Sequence, residues 1–441
     1  MLNGSSVCVV GLGYIGLPTA LLLATNGFSV LGVDTNEAVL ASLRSGEPHI
    51  AEPGVRELLG RALSSGALAL GLRPEGADVF MICVPTPVSK DRTADLSAVR
   101  AAAESILPYL GPESLVILES TVPPGTTQNM VVPILRQSDW KVPRSGSRDG
   151  LLVAYCPERV LPGKTLHEMI HNDRIVGGVT PAAAAAAATF YSQFVHGVVH
   201  QTDVTTAEIV KLAENSFRDV NIALANELAG ICWELGSNVW EVVRLANHHP
   251  RVHFLSPGPG VGGHCLTTDP WFLVSSAPGM AKLIRSGREI NESQPETVCR
   301  IIEGMTRDIR DAKVALLGVA YKAGTDDLRD SPTLVIAQWL HSHGYRVSLV
   351  DPLVKLCPVA LTPLSEAVSD ADLIVLLVDH DEFANLEPGD LGRRVRHKRL
   401  LDTRNSLDLA RWEGCGFEAR LLGAGAVPRQ ESAKPIGTVP E

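Results

Sequence analysis

Short runs of aliphatic and β-branched residues alternate with helical segments twice along the chain. The first alternation covers residues 5–130 and includes the runs SVCVVGLG, SVLGVD and ADVFMICVPTP. The second begins near residue 312 and includes AKVALLGVAYK, YRVSLVD and ADLIVLLVD. Continuous apolar strands separated by helices are typical of parallel sheets that are covered on both faces. The sequence therefore predicts an α/β protein with two doubly wound, Rossmann-like domains.

A helical region separates the two alternations. Between residues 202 and 247, apolar residues recur every three to four positions, which predicts a long helix followed by a shorter one. We therefore predict a first Rossmann-like domain over 1–201, a central helical region over 202–310 and a second Rossmann-like domain over 311–423. The remaining segment, 424–441, is rich in turn-forming residues and is predicted to be disordered.

Composition argues against several classes of partner. The 441 residues carry a formal net charge of -10, which does not suit a nucleic-acid-binding surface. We expect no membrane span, because uninterrupted runs of about 18 apolar residues are missing, and we expect no secretion signal. The eight cysteines are scattered without a C-x-x-C pair. This spacing suits reduced thiols in the cytoplasm and predicts no metal site.

The segment GLGYIG is a G-x-G-x-x-G fingerprint that follows a predicted strand and opens a predicted helix. Its glycines are Gly11, Gly13 and Gly16. Glycines at these positions permit a tight turn and let a pyrophosphate approach the helix N-terminus. Asp34 ends the next strand, about twenty residues later, where a carboxylate can bind the ribose hydroxyls. A 2′-phosphate would be repelled there, so the sequence predicts NAD as the cofactor.

The glycine-rich loop SPGPGVGGHCLTTDPWFL places Cys265 four residues before Asp269. Ordering so many glycines is costly, and we expect that a substrate approaches the backbone of this loop closely. A cysteine near a nicotinamide ring suggests covalent aldehyde chemistry, in which a thiohemiacetal is oxidised to a thioester and then hydrolysed. The alternative is that Cys265 is a structural thiol.

Seven segments occur in the order in which nucleotide-sugar 6-dehydrogenases carry them. The segments are GLGYIGLP, CVPTP, ESTVPPGTT, CPERVLPG, EIVKLAENSFRDVNIALANE, PGPGVGGHCLTTDPWF and GVAYKAGTDDLRDSP. From about residue 5 to residue 420, the chain resembles this family, which includes UDP-glucose dehydrogenase and GDP-mannose dehydrogenase. The resemblance implies a four-electron oxidation of a sugar C6 hydroxyl to the acid, with two NAD+ consumed.

The resemblance also implies catalytic roles for individual residues. Cys265 matches the nucleophile, and Asp269 with Lys211 matches the pair that serves acid–base and oxyanion roles. Asn215 matches a residue that holds the reacting centre, and its spacing of four residues from Lys211 independently places both on one helix face. Two further positions match residues that order the water for thioester hydrolysis: Thr121 and Glu158.

Binding residues are also predicted, most of them from the same resemblance and Arg404 from its position at the end of a predicted strand. The predicted cofactor contacts, besides the three glycines and Asp34, are Tyr14, Ile15, Pro85, Thr86, Thr121 and Arg329. The predicted substrate contacts are Glu158, Arg159, Val160, Lys211, Asn215, Arg251, Gly262, Lys322 and Arg404. Of these, Arg251 matches an arginine that reaches the sugar from a neighbouring subunit. We therefore expect a homodimer, with the long helix at its interface.

The segment PERVLPG bears on the sugar. UDP-glucose enzymes typically carry PEFLAEG here, whereas this chain has Arg159 and replaces the second carboxylate by Pro162. The subgroup that it resembles acts on UDP-N-acetyl-hexosamines, first UDP-N-acetyl-D-mannosamine and second UDP-N-acetyl-D-glucosamine, with UDP-glucose as a third alternative. Arg159 or His249 is a candidate partner for the acetamido group. Two other functions stay open: a two-electron dehydrogenase and a non-catalytic nucleotide-binding scaffold.

Overall fold

The computed structural model describes residues 5–50, 52–89, 91–143 and 150–425. The chain divides into two compact units. The first comprises the residues up to Glu214 together with Trp271–Met280, and the second comprises Asn215–Pro270 and the residues from Ala281 onward. The domain limits predicted from the sequence stay a prediction. Residues 426–441 of the predicted disordered tail lie outside the described residues.

The first unit contains an eight-stranded sheet with the order β3-β2-β1-β4-β5-β6-β7-β8. Its strands are β1 (Ser6–Val10), β2 (Ser29–Val33), β3 (Leu68–Gly71), β4 (Val79–Ile82), β5 (Leu115–Leu118), β6 (Leu152–Tyr155), β7 (Arg174–Gly178) and β8 (Val199–Asp203). Strands β1 to β6 pair in parallel, as predicted. The pair β6–β7 is antiparallel, whereas β7–β8 is parallel again. This reversal lies beyond residues 5–130, for which the parallel alternation is predicted.

Both faces of this sheet are covered, which confirms the doubly wound architecture. Alternate side chains of β1 enter different cores, because successive residues of a strand point to opposite faces. Val7 and Val9 belong to one apolar cluster, and Cys8 and Val10 belong to the other. The helices of this unit are α1 (Gly16–Thr25), α2 (Glu37–Arg44), α3 (Val55–Ser64), α4 (Ser97–Ile106), α5 (Val132–Leu135), α6 (Thr165–His171) and α7 (Pro181–Tyr191).

A long helix and a shorter helix follow, as the apolar periodicity predicts. They are α8 (Val204–Glu234) and α9 (Val239–Ala246). Asn238 caps α9, because its side-chain oxygen accepts the N–H of Trp240 at 2.9 Å. Two further helices are α10 (His264–Ser276), which contains the predicted nucleophile, and α11 (Lys282–Thr306).

The second unit contains a parallel five-stranded sheet with the order β10-β9-β11-β12-β13. Its strands are β9 (Lys313–Leu317), β10 (Arg346–Val350), β11 (Leu373–Leu376), β12 (Arg399–Asp402) and β13 (Glu418–Leu421). The associated helices are α12 (Pro332–Ser342), α13 (Leu364–Ala367), α14 (Asp381–Ala384), α15 (Pro388–Leu391) and α16 (Leu409–Gly414). Alternate residues of β9 again enter two separate apolar clusters, so this sheet is also covered on both faces.

Candidate active site

The turn between β1 and α1 needs its glycines for steric reasons. Gly11 has φ +93, and a Cβ there would lie 2.8 Å from the carbonyl oxygen of Cys83. A Cβ on Gly16 would lie 1.8 Å from the carbonyl oxygen of Gly11. Gly13, in contrast, is exposed and has no atom within 4 Å of a Cβ position. The backbone at Gly13 is therefore open to an anion at the start of α1.

Asp34 lies at the end of β2 beside this turn. One carboxylate oxygen accepts the N–H of Leu12 at 3.0 Å, and the other accepts the N–H of Asn36 at 2.8 Å. Asp34 thus holds the glycine turn against β2, and its half-buried carboxylate remains positioned for ribose hydroxyls. The open Gly13 backbone and the adjacent carboxylate together fit the pyrophosphate and ribose of NAD.

Other predicted cofactor residues lie close to the same strand ends. The hydroxyl of Thr86 donates to the carbonyl oxygen of Thr121 at 2.6 Å, which joins the segments after β4 and β5. The hydroxyl of Tyr14 donates to Glu52, a buried carboxylate that the sequence did not reveal. Glu52 also accepts the N–H of Gly163 at 2.7 Å. Two predicted contacts are half-buried or exposed: Ile15 and Pro85.

Lys211 and Glu158 form a buried ion pair in the first unit. The Nζ of Lys211 lies 3.7 Å from Oε2 of Glu158, and their side chains are only 7% and 11% exposed. The other carboxylate oxygen of Glu158 accepts the N–H of Val160. The structure therefore brings together a predicted catalytic cation and a predicted water-ordering carboxylate. Such a pair can hold a water molecule and exchange a proton with it.

Arg159, a candidate partner for the acetamido group, makes three intramolecular hydrogen bonds. Its Nε and Nη2 donate to the two carboxylate oxygens of Glu214 at 3.1 and 2.6 Å. Its Nη1 donates to the carbonyl oxygen of Asp173 at 2.9 Å. All three guanidinium nitrogens thus have intramolecular partners. These bonds use three of the five N–H donors of the guanidinium, so two remain for a ligand and the role of Arg159 in sugar recognition stays a prediction.

A second buried glutamate holds the segment that carries Thr121. Glu208 accepts the N–H of Thr127 at 2.8 Å, its hydroxyl at 2.7 Å and the N–H of Gly125. Burial raises the pKa of Glu208, although the hydrogen bonds from Thr127 and Gly125 oppose the shift. The sequence offered one signal for Glu208: it precedes Lys211 by three residues in α8, so the two side chains lie on the same side of the helix.

In the second unit, Cys265 lies in the first turn of α10. The residue is exposed, whereas Asp269, one turn later, is only 3% exposed. Asn215 donates its side-chain N–H to Oδ2 of Asp269 at 2.6 Å. The N-terminus of a helix favours negative charge, which suits a nucleophilic sulfur at this position. A thiol with a buried, oriented carboxylate on the same helix face can perform covalent chemistry with acid–base assistance.

The glycines before Cys265 allow other residues of the protein to pack closely against the backbone of this loop. A Cβ on Gly263 would lie 2.8 Å from the ring of Tyr321, and Gly263 has φ +83. A Cβ on Gly262 would lie 2.7 Å from the carbonyl oxygen of Asp330. The N–H of Gly263 donates to the carbonyl oxygen of Arg329 at 2.9 Å. The close approach that we expected from a substrate is therefore made by residues 321–330.

A buried polar network holds the glycine-rich loop that contains Cys265. Arg288, which is 2% exposed, donates to Asp219 at 2.7 Å and to the carbonyl oxygen of Leu266 at 3.3 Å. Asn226 accepts the N–H of Gly258 at 2.9 Å. These contacts fix both ends of the loop to α8 and α11. Sequence reasoning missed Arg288, because its partners in this network, Asp219 and Leu266, lie at least 22 residues away along the chain.

Three cationic residues that are predicted to bind the cofactor or the substrate lie in the same unit as this loop: Arg329, Arg404 and Lys322. Arg329 is half-exposed, and its hydrogen bond with Asp327 raises its pKa, with a smaller electrostatic contribution from Cys265. Arg404 pairs with Asp379 at 3.0 Å, and a Cβ on Gly258 would lie 2.6 Å from its Nη1. The Nζ of Lys322 lies 5.7 Å from the ring centre of Tyr321.

Arg251 occupies the surface of the second unit. It is exposed, and its Nη2 lies 3.5 Å from the ring of His249, which is also exposed. Within the described ranges, no cluster of His, Cys, Asp and Glu is arranged to hold a metal ion. In the same part of the chain, no helix has both the length and the apolar character needed to cross a membrane.

Comparison with family models matches three consecutive parts of the chain. Residues 5–195 match the NAD binding domain of the UDP-glucose/GDP-mannose dehydrogenase family. Residues 205–293 match the central domain of this family, and residues 315–409 match its UDP binding domain. Together these ranges cover most of the chain and place the two Rossmann-like sheets in the NAD- and UDP-binding parts.

Individual relatives cover nearly the whole chain. UDP-N-acetyl-D-mannosamine dehydrogenase of Methanocaldococcus jannaschii is 45% identical over 429 residues, covering 96% of this chain and 97% of the relative. NDP-N-acetyl-D-galactosaminuronic acid dehydrogenase of Ralstonia nicotianae is 46% identical over 407 residues, covering 90% and 95%. Among solved structures, the UDP-D-ManNAc dehydrogenase of Pyrococcus horikoshii is 40% identical with a TM-score of 0.89, covering 96% of this chain and all of that chain.

Proposed function

The chain belongs to the UDP-glucose/GDP-mannose dehydrogenase family and is an NAD-dependent oxidoreductase, and we propose that it oxidises UDP-N-acetyl-D-mannosamine at C6 to the uronate. Relatives from several species that carry this substrate in their names support the choice of sugar. The observation that carries the proposal is the exposed Cys265 on α10 with the buried Asp269 one turn later.

Cys265 supplies the covalent step of the proposed reaction. The C6 hydroxyl first loses a hydride and a proton to give an aldehyde, and the Cys265 sulfur then adds to the aldehyde carbon. Loss of a second hydride and of the hydroxyl proton converts this thiohemiacetal to a thioester. NAD+, which the glycine turn after β1 and Asp34 would hold, would supply the hydride acceptor for both oxidations. Water then adds to the thioester carbon and the C–S bond breaks, so the acid leaves and the Cys265 thiol is restored.

The other predicted catalytic residues move protons and orient the reactants. Asp269, held by Asn215 at 2.6 Å, takes the proton of the C6 hydroxyl or exchanges it with a nearby donor. Lys211 stabilises developing negative charge on oxygen. Glu158 and Thr121 order the hydrolytic water. The overall change is one alcohol and one water to one carboxylate, two hydrides and three protons.

We assign the uridine diphosphate to the second sheet. Arg404 and Lys322 offer cations to the diphosphate, and Arg suits phosphate because it can bind two oxygens at once. The family match of residues 315–409 to a UDP binding domain supports this assignment. Arg329 is proposed to contact the cofactor, as the resemblance implies.

A homodimer is proposed from the exposed face of α8. Phe217, Leu224 and Ile231 are 67%, 46% and 45% exposed, and they recur every seven residues. Residues at this spacing lie on one side of a helix, so α8 carries an uncovered apolar stripe. A second copy of the chain would cover it and would bring its exposed Arg251 towards the sugar, as the resemblance implies.

The NADH yield per sugar tests the proposed function. Purified protein and NAD+ should give two NADH per UDP-N-acetyl-D-mannosamine, and Cys265→Ser should abolish the second. UDP-N-acetyl-D-glucosamine, UDP-N-acetyl-D-galactosamine and UDP-glucose serve as alternative substrates. Two NADH from one of these instead would replace the proposed sugar. One NADH, or an unaffected Cys265→Ser variant, would refute the thioester chemistry.

A further inference from the structure

Three charged residues form a stripe along the first turns of α8. Glu208, Lys211 and Glu214 are spaced three residues apart, so their side chains point to the same side of the helix. All three contact segments of the first unit that follow strands of its sheet. Glu208 binds the segment after β5, whereas Lys211 and Glu214 bind the segment after β6.

The contact of Glu208 is fully buried. Its carboxylate accepts the backbone N–H groups of Gly125 and Thr127 and the hydroxyl of Thr127. The segment between β5 and this contact contains Thr121, Pro123 and Pro124, and prolines restrict the backbone. The position of Thr121 is therefore set from one end by β5 and from the other end by Glu208.

The contact of Glu214 is a bidentate ion pair. Arg159 uses two nitrogens to bind its carboxylate, and side-chain exposures are 26% for Arg159 and 37% for Glu214. A third nitrogen of Arg159 binds the backbone of Asp173. Because Glu158 precedes Arg159 directly, this pair also sets where Glu158 meets Lys211. Planar pairs of this kind add geometric specificity to their energy.

We infer that Glu208 and Glu214 are positioning residues for the hydrolytic half of the reaction, holding Thr121 and Glu158 in register around Lys211. This inference rests on the proposed function. It predicts that both hydride transfers survive loss of either glutamate, while attack of water on the Cys265 thioester becomes slow. A displacement of about 1 Å in such an arrangement can reduce a rate about 100-fold.

Rapid mixing with NAD+ and the UDP-sugar that supports turnover tests the inference. In Glu214→Ala and Glu208→Gln, we expect a fast phase of nearly two NADH per active site, followed by a steady rate reduced at least about tenfold. Intact-protein mass spectrometry should then detect a sugar-nucleotide adduct that is missing when Cys265→Ser is added. Glu214→Asp should recover part of the steady rate.

Controls separate this inference from simpler explanations. Glu296→Ala removes an exposed ion pair with Arg300 in α11 and should leave both phases unchanged. Because Glu214 is partly exposed, its variant tests the inference even if Glu208→Gln does not fold. An equal slowing of both phases, or an unchanged steady rate without an adduct, would overturn the inference. A wild-type yield below two NADH per sugar would instead refute the proposed function.

Discussion

The two sheets begin with the same strand–turn–strand unit but use it differently. Gly11 follows β1 with φ +93, and Gly318 follows β9 with φ +92. Each donates its N–H at 2.8 Å to the carbonyl oxygen of the last residue of the neighbouring strand, Val33 or Val350. Both turns therefore start from one backbone geometry, for which glycine is the best suited residue.

An aspartate supports each turn from the neighbouring strand. Asp34 accepts the N–H of Leu12, and Asp351 accepts the N–H groups of Val319 and Ala320 at 2.7 and 3.0 Å. As whole residues both aspartates are partly exposed, but the Asp351 side chain is 0% exposed and lies 3.2 Å from the ring of the buried His380. A carboxylate that is enclosed in this way cannot also reach ribose hydroxyls.

The helices that follow also differ. In the first unit, α1 begins at Gly16, directly after the turn. In the second unit, α12 begins only at Pro332, and the intervening segment carries Lys322 and Arg329. The first turn can present a helix N-terminus to a pyrophosphate, while the second presents cationic side chains. One scaffold thus supports recognition of two different nucleotides.

Adding a methyl group to either turn has the largest combined effect, because it lowers both stability and nucleotide affinity. Gly11→Ala would place a Cβ 2.8 Å from a carbonyl oxygen, and Gly318→Ala would place one 2.4 Å from Cβ of Val378. With φ near +90 as well, each change should cost about 1–3 kcal/mol of stability. We expect Gly11→Ala to weaken NAD+ binding at least about tenfold and Gly318→Ala to weaken UDP binding similarly.

Calorimetry with each nucleotide separately measures this difference. Each variant should retain the affinity for the other nucleotide within about twofold, because only its own turn is disturbed. Loss of both affinities in both variants would show that the two turns do not act separately.

A second effect concerns stability. Asp351→Ala would leave four backbone N–H groups and His380 without their buried acceptor. We expect a loss of about 3 kcal/mol in the free energy of unfolding at pH 7, against about 1 kcal/mol for Asp34→Ala. Urea denaturation of both variants compares the two aspartates. Equal losses would contradict the difference in burial.

The contribution of Asp351 to the free energy of unfolding depends on pH. Burial opposes ionisation of Asp351, but hydrogen bonds from His380 and from backbone N–H groups outweigh burial and lower its pKa. A lowered folded pKa contributes stability above the ordinary carboxyl pKa of about 3.9, and this contribution is lost as the pH falls further. The stability difference between wild type and Asp351→Ala should therefore shrink from pH 5 towards pH 2, as urea midpoints would show.

The smallest effect concerns the choice of cofactor. Asp34→Asn removes the charge that repels a 2′-phosphate, so NADP+ affinity should rise and the preference for NAD+ should fall about tenfold. Asp351→Asn, the matched change in the other turn, should leave this preference unchanged. KM values for the two cofactors provide the measurement. An unchanged preference in Asp34→Asn would show that another residue excludes the phosphate.

Local patterns predicted most of the fold. The apolar runs around Val9, Ile82 and Leu316 form strands, and the segment with helical periodicity after residue 202 forms α8 and α9. The strands from β6 onward in the first sheet were not predicted, and the reversal between β6 and β7 leaves no local signal. In the candidate site, the motif predicted the glycine turn and the resemblance named Asn215 and Asp269 separately, whereas the hydrogen bond between them was not predicted.

Partners from distant parts of the chain could not be predicted. Arg159 suggested a substrate contact, yet Glu214, 55 residues away, occupies two of its nitrogens. The sequence indicates no role for Glu208, because the N–H groups that it binds, those of Gly125 and Thr127, lie about 80 residues earlier in the chain. Both glutamates satisfy groups that would otherwise be left without hydrogen bonds.

The sequence by itself determined the α/β class and the NAD turn, because these depend on periodicity, glycine geometry and short spacings, and its family resemblance named the proposed catalytic residues. Tertiary structure alone decided which charged groups are paired and buried. It enclosed Asp351 with His380 while leaving Asp34 half-buried, and it filled the space around Gly263 with Tyr321. The physical reason is that burial and pairing depend on residues that meet only after the chain has folded.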